Sequence, residues 1–161
     1  MAWNVLIVDD HEVARIGMSW LLNSPLFKVA GAVATASEAL KCLREQPIDV
    51  VLLDLRLADG NGLTLLEQIR KLHAEVPAVI FSAYENPTYI ARAAALGAAD
   101  YLLKSVSSKT LHDSLHRVVT GNSAGPESLL CLIQRTMREK VDVSKLPSDF
   151  PLTARETQVL R

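Results

Sequence analysis

Apolar runs rich in β-branched residues recur along the chain, each broken off by polar residues. They fall at Val5 to Val8, Phe27 to Val33, Val50 to Leu53, Ala78 to Phe81 and Tyr101 to Leu103, and predict five short strands. Between them the apolar positions take helical spacing: Val13, Ile16, Gly17, Trp20 and Leu21; Ala36, Leu40 and Leu43; Leu65, Ile69 and Leu72; Ile90, Ala93 and Ala94; Leu111, Leu115 and Val118. Each strand is thus followed by a helix. Thr35 with Glu38 three residues on reads as a capping box, Asn86 before Pro87 as an N-cap with proline at the first helical position, and Gly121 as the stop of the fifth helix. Strict βα alternation with almost continuously apolar strands predicts a parallel sheet covered by helices on both faces, over residues 1–120.

The pattern changes at "GNSAGPES", residues 121–128, which is small, polar and hinge-like. Leu129, Leu132, Ile133 and Met137 then share a helical face, so 121–150 reads as a linker carrying one helix. In "LTARETQVLR" Thr153 and Glu156 repeat the capping-box spacing, which predicts that another helix begins within 151–161.

Composition narrows the partners. The chain has 161 residues, 17 basic against 18 acidic side chains and a net charge of −1. Such a balance cannot hold a polyanion by charge alone. No apolar run approaches the roughly 18 residues of a membrane span, and the start lacks a secretory signal pattern, so the expected location is cytoplasmic with no membrane contact. Cys42 and Cys131 have neither CxxC nor Cys/His spacing and are expected to be reduced thiols.

In an open parallel α/β sheet ligands bind at the carboxyl ends of the strands. The residues that fall there are Asp9 and Asp10 after the first strand, Asp54 after the third, Ser82 after the fourth, and Lys104, with Tyr101 nearby, at the fifth. Three converging carboxylates repel one another and call for a cation; Mg2+ takes one or two carboxylates together with phosphate oxygens, which suits Asp10 and Asp54 directly and Asp9 through water. An ionised Asp54 beside such an ion can attack a phosphoryl group. Lys104 would pair with the new charge, and Ser82 would donate to a phosphoryl oxygen. Taken singly each residue is an ordinary strand end, and His11, His73, His112 and His116 read as solvated histidines. Acid pair, acid, hydroxyl and lysine at successive strand ends carry the functional reading.

That order resembles the receiver domain of two-component response regulators, in the blocks "VLIVDDHEVAR", "VVLLDLRLADGNGL", "VIFSAYEN" and "AAALGAADYLLKS". The resemblance implies a flavodoxin-like, doubly wound five-stranded sheet in order 2-1-3-4-5. It implies Asp54 as phosphoacceptor, Asp9 and Asp10 as the acidic metal pair, the backbone carbonyl of Arg56 as a further Mg2+ ligand, Lys104 as the phosphoryl-binding lysine, and Ser82 with Tyr101 as a switch pair. On phosphorylation Ser82 would turn to the phosphoryl group and Tyr101 would move inward. A sensor histidine kinase as donor is implied as well, and as output homodimerisation or a change of interdomain contacts that releases the DNA-binding module. The chain departs from the family's usual residues at Ala58, Asn61 and Ser105, where proline, aspartate and a cis proline are common. "LTARETQVLR" is similar to the opening of the LuxR-type helix-turn-helix, so the implied role is transcription control through a DNA-binding domain mostly outside these residues. A receiver is a phosphoacceptor rather than an enzyme, though it can label itself from small donors and dephosphorylate itself. The alternative is a degenerate receiver that binds proteins independently of phosphorylation. A dehalogenase-type phosphatase is disfavoured because "VDDHE" lacks a DxD pattern, and a flavin carrier because "DDHEVAR" replaces a glycine-rich phosphate loop.

Overall fold

The computed structural model describes residues 2–121; the expectations for the linker helix, Cys131 and the helix-turn-helix fall outside them. Five strands form one parallel sheet: β1 (Trp3–Val8), β2 (Phe27–Val33), β3 (Val50–Leu53), β6 (Ala78–Ser82) and β7 (Asp100–Leu103). Their spatial order is β2-β1-β3-β6-β7, which counted over these five strands is the expected 2-1-3-4-5. Two further strands, β4 (Arg56–Leu57) and β5 (Gly60–Asn61), make a small antiparallel ribbon directly after Asp54. Two-residue strands leave no hydrophobic period to read, and the sequence pattern did not reveal them.

The helices are α1 (Glu12–Leu22), α2 (Ala36–Glu45), α3 (Gly62–Leu72), α4 (Pro87–Ala95) and α5 (Ser108–Val119). Alternate strand residues point to opposite faces, so the sheet divides the core in two. Val5, Ile7, Val50, Leu52 and Val79 meet Met18 and Leu22 of α1 and Leu111, Leu115 and Val118 of α5. Leu6, Val8, Val51, Leu53 and Ile80 meet α2, α3 and α4 through residues such as Leu43, Leu66, Ile69 and Ile90. Each fully buried aliphatic side chain contributes about 1.5–3 kcal/mol, which is why all of Val5 to Val8 can be apolar.

Helix starts follow the expected chemistry. The Thr35 hydroxyl oxygen accepts from Glu38 N–H at 3.1 Å, and Asn86 Oδ1 accepts from Thr88 N–H at 2.9 Å with Pro87 in the first turn. Past α5, Gly121 takes a positive φ of 81° that favours glycine. In α1 the apolar positions divide between core and solvent. Val13 and Trp20 are 84% and 82% exposed, with Ile16 and Leu21 half exposed, while Met18 and Leu22 are buried and Ala14 packs partly beside them. Leu72 of α3 also faces solvent.

The strand order places the site. The chain leaves β1 toward β2 and leaves β3 toward β6, so the connections diverge between β1 and β3, where a crevice opens at the carboxyl ends.

Candidate functional site

Asp9 and Asp10 follow β1, and Asp54 follows β3. Backbone bonds from Asp54 N–H to the Val8 carbonyl (2.8 Å) and from Asp9 N–H to the Val33 carbonyl (3.0 Å) continue the sheet pairing up to the acids themselves. The geometry of these side chains is therefore set by the sheet rather than by a free loop. Asp9 and Asp54 are only 1% and 4% exposed.

Buried carboxylates require partners. Lys104, in the turn after β7, donates from Nζ to Asp9 Oδ2 at 2.7 Å and to Asp54 Oδ2 at 3.0 Å. Its own backbone N–H is fixed on the Ser82 carbonyl at 2.8 Å, so β6 positions the turn that delivers the ammonium. The Lys104–Ser105 peptide bond is trans. Leu55 N–H donates to Asp54 Oδ1 at 2.7 Å.

The two buried acids respond differently to this setting. Burial opposes ionisation of Asp9, yet the Lys104 hydrogen bond and the His11 backbone N–H outweigh it and hold its pKa below the ordinary carboxylate value. For Asp54 burial prevails, the Asp9 charge adds to it, and Lys104 offsets only part, so the Asp54 pKa is raised. Lys104 is pulled down by burial but pushed up further by its bonds to both aspartates. The same ammonium and the same burial thus act in opposite net directions on the two carboxyls.

Ser82 is buried at the end of β6, and its Oγ accepts from Tyr84 N–H at 3.1 Å. Tyr101 is fully buried in β7, with its hydroxyl donating to the Tyr84 carbonyl at 2.7 Å. Burial raises the Tyr101 pKa, against a hydrogen bond with Ser82. Tyr101 thus occupies an inward position in this structure. Arg56, in the β4–β5 ribbon, lines a cleft of about 670 Å3 together with Asp10, Asn61, Tyr84, Asn86 and Tyr89. Its guanidinium carbon stands 5.7 Å from the centre of the Tyr84 ring.

Three residues at the site escaped the sequence reading. His11 is solvated as expected, its side chain 55% exposed, yet its Nδ1 lies 3.0 Å from Asp9 Oδ1, 3.0 Å from Asp10 Oδ1 and 3.9 Å from Asp54 Oδ2. Its adjacency to the acid pair was the available signal. Arg15 donates to the Asp9 carbonyl at 2.7 Å, one helical turn on from His11 and so invisible to a search confined to strand ends. Gly62 packs so close that a Cβ there would collide with the backbone of Asp54 and Leu55. The other expected site residues, Asp9, Asp10, Asp54 and Lys104 at the acid rim and Ser82 with Tyr101 behind it, come together as the strand ends require.

The donor set fits a hard divalent cation. Asp10 Oδ1 is buried and, among the described residues, has no hydrogen-bond partner, because the His11 ring nitrogen bonds Asp9 instead. An orphaned carboxylate oxygen of this kind is destabilising unless a cation serves it. Ligand atoms of Asp9, Asp10, His11 and Asp54 all lie within 4.8 Å of one another, and carboxylate oxygens are compatible with Mg2+.

A parallel sheet in this order, with its acids and lysine gathered at one rim, defines a doubly wound α/β protein with its candidate site at the strand ends. The chain belongs to the response regulator receiver domain family, whose pattern it matches over residues 5–116. It is 29% identical over 161 residues to the response regulator protein VraR of Staphylococcus aureus, covering 99% of this chain and 75% of VraR. A two-component response regulator of the LuxR family from Aurantimonas sp. SI85-9A1 superposes with a TM-score of 0.76 at 26% identity, covering 88% of this chain and 100% of that one. A CheY-like receiver domain from Methanospirillum hungatei JF-1 shares the fold, with a TM-score of 0.69 at 24% identity over 74% of this chain and 95% of that one.

Proposed function

We propose that this chain is the receiver part of a transcription-controlling response regulator and accepts a phosphoryl group on Asp54. The observation that carries this reading is the buried Asp54 carboxylate, with Lys104 Nζ 3.0 Å away and Asp9 and Asp10 beside it. Asp10, Asp54, the Arg56 carbonyl and, through water, Asp9 would hold a Mg2+ ion, which would supply charge neutralisation for the incoming phosphoryl oxygens. An Asp54 oxygen attacks phosphorus, the bond from phosphorus to the donor's imidazole nitrogen or acyl oxygen breaks, and the leaving group takes that electron pair. Lys104 exchanges part of its carboxylate contact for a phosphoryl oxygen and so senses the modification.

The new group carries about −1.5 to −2 charge in place of the single carboxylate charge it consumes. Ser82 turns its hydroxyl from Tyr84 N–H toward the phosphoryl group, which loosens the Tyr84 segment that also receives the Tyr101 hydroxyl. Converting a mostly inactive population to a mostly active one needs about 5.5 kcal/mol of differential stabilisation, within reach of a few charge-assisted hydrogen bonds. The donor is a sensor histidine kinase, the output is homodimerisation, and DNA is engaged through a helix-turn-helix of which residues 151–161 are the start. The protein works in the cytoplasm, as a phosphoacceptor rather than an enzyme, with self-labelling from small donors and slow self-dephosphorylation. Residues 121–150 join the two parts.

The test is acid-labile phosphate incorporation from a small acyl phosphate with Mg2+. The wild-type chain is expected to take up one group and Asp54→Asn none; equal uptake by the variant removes Asp54 from the mechanism. A second reading draws on the buried Tyr101: a receiver whose switch is set inward before modification can serve as a phosphorylation-independent binding module. A wild-type chain that takes no label favours that reading.

A further inference from the structure

We propose that the solvent face of α1 is a docking groove for a later segment of the same chain, residues 129–137, which lies antiparallel along it. Such docking does not require Asp54 to be the phosphoacceptor.

The face is apolar where a surface helix is ordinarily polar. Val13 and Trp20 are 84% and 82% exposed, and Ile16 and Leu21 are 54% and 50% exposed. Val13, Ile16, Gly17 and Trp20 stand at i, i+3, i+4 and i+7, the corners of a hole that receives one side chain of a facing helix. Glycine deepens that hole, since a Cβ at Gly17 would meet nothing within 4 Å. Apolar side chains scattered singly on a surface are ordinary, but a contiguous group around one depression marks a contact surface.

The path of the chain selects the occupant. α1 and α5 share one face of the sheet and meet where His112 Nε2 approaches the Leu21 carbonyl at 2.7 Å. Both run from the carboxyl rim to the amino edge, and Gly121, just past α5, lies at that edge beside Trp3, Asp49 and Pro77. Residues 122–128 can span at most about 23–25 Å, whereas packed helices lie about 8–10 Å apart. Immediately after them come Leu129, Leu132, Ile133 and Met137, the stripe that a docked helix needs. As a helix, 129–137 is about 12 Å long, and Val13 to Trp20 covers about 10 Å.

A segment that leaves the amino edge and lies on α1 must run back toward the rim, so Ile133 faces Gly17. The same direction carries Arg138 and Lys140 toward Glu12 at the start of α1 and Asp10 before it, an opposite-charge match that a parallel arrangement would forfeit. The contact is local: a docked segment opens before the sheet unfolds. It is therefore read by probes on α1 rather than by global denaturation.

Two measurements on the 161-residue chain test this. In a Cys42→Ser, Cys131→Ser background at high dilution, Gly17→Cys with Ile133→Cys is expected to form an intrachain disulfide on the order of tenfold or more faster than Leu72→Cys with Ile133→Cys. Leu72 is exposed as well, but it ends α3 on the opposite sheet face. Equal rates would mean a segment that rests nowhere and overturn the proposal. A disulfide that joins two chains and grows with protein concentration assigns the face to a second copy, and overturns it too. Trp3→Phe leaves Trp20 as the chain's one tryptophan; its fluorescence is expected to resist acrylamide quenching and to lose that protection in Ile133→Asp. Quenching as efficient as for free tryptophan before that substitution, or protection that survives it, contradicts the docking.

Discussion

Lys104 Nζ stands 3.0 Å from Asp54 Oδ2 and ties the turn after β7 to the end of β3 across 50 residues of chain. The same ammonium reaches Asp9 at 2.7 Å, so removing it leaves two buried carboxylates facing each other. Lys104→Met is expected to lower stability by about 3 kcal/mol in the absence of divalent ions, the scale for breaking one side of a buried pair. The dependence on pH has a definite direction. The Lys104 pKa is raised in the folded state above its ordinary 10.5, so its contribution is complete below that value and is lost as pH rises through the folded value. Urea melts of the two proteins should differ by a constant amount at neutral pH and converge in strong alkali. A gap that persists there contradicts an ionic origin.

Asp54 has the opposite sign. Burial and the Asp9 charge raise its folded pKa above the ordinary 3.8. Ionised Asp54 therefore destabilises the fold: the penalty is absent below 3.8, grows as pH rises through the folded value, and is complete above it. Asp54→Asn is expected to melt at a higher temperature than wild type at neutral pH, with the advantage fading as the solution is acidified toward 3.8. A variant less stable than wild type at neutral pH contradicts the raised pKa.

The facing of α1 gives a contrast within one helix. Met18 is buried against the sheet and Trp20 is 82% exposed. Met18→Ala should cost about 2–5 kcal/mol and Trp20→Ala no more than about 0.5 kcal/mol, read from chemical denaturation. A large loss at Trp20 would place the helix the other way round.

That contrast also marks where sequence reading stops. The buried strands β1, β3, β6 and β7 carry nearly continuous apolar runs, and the partly buried edge strand β2 still keeps a mostly apolar one, so all five were legible, and with them the strand ends that hold Asp9, Asp10, Asp54, Ser82 and Lys104. In α1, however, Val13, Ile16, Gly17 and Trp20 compete with Ala14, Met18 and Leu22, both sets having helical spacing. Only the sheet decides between them. His11 escaped for a related reason, because its place is set by a turn and its bond to Asp9 rather than by any period. Gly62 escaped because close backbone approach leaves no hydrophobic signature.

Gly62 starts α3 directly against the strand end, with the carbonyl of Asp54 and the Cα of Leu55 where a Cβ would go. These are backbone atoms and cannot rotate aside. Gly62→Ala is expected to destabilise by about 1–3 kcal/mol and to slow phosphoryl labelling, because the displaced atoms are those of the proposed acceptor. Alanine at Gly17, which has nothing within 4 Å, serves as the control. Mid-helix alanine there should raise stability by about 0.5–1 kcal/mol with labelling unaffected. If both variants label like wild type, the contact at Gly62 is a packing feature alone.

The last expectation concerns the ion. Among the described residues Asp10 Oδ1 is buried without a hydrogen bond, and its charge adds to those of Asp9 and Asp54 in one cluster. Without metal this is a destabilising arrangement, so Asp10→Asn should be at least as stable as wild type in a chelator. With metal the order reverses. An ion that binds only the folded chain stabilises it by RT ln(1 + [L]/Kd), about 2.7 kcal/mol at a hundredfold excess over Kd. Wild-type protein should gain that amount from Mg2+, and Asp10→Asn should gain clearly less at the same concentration because one direct ligand is lost. Thermal melts with and without Mg2+ measure both effects. Equal gains would mean that the cation sits elsewhere and that the orphaned oxygen of Asp10 is not its ligand.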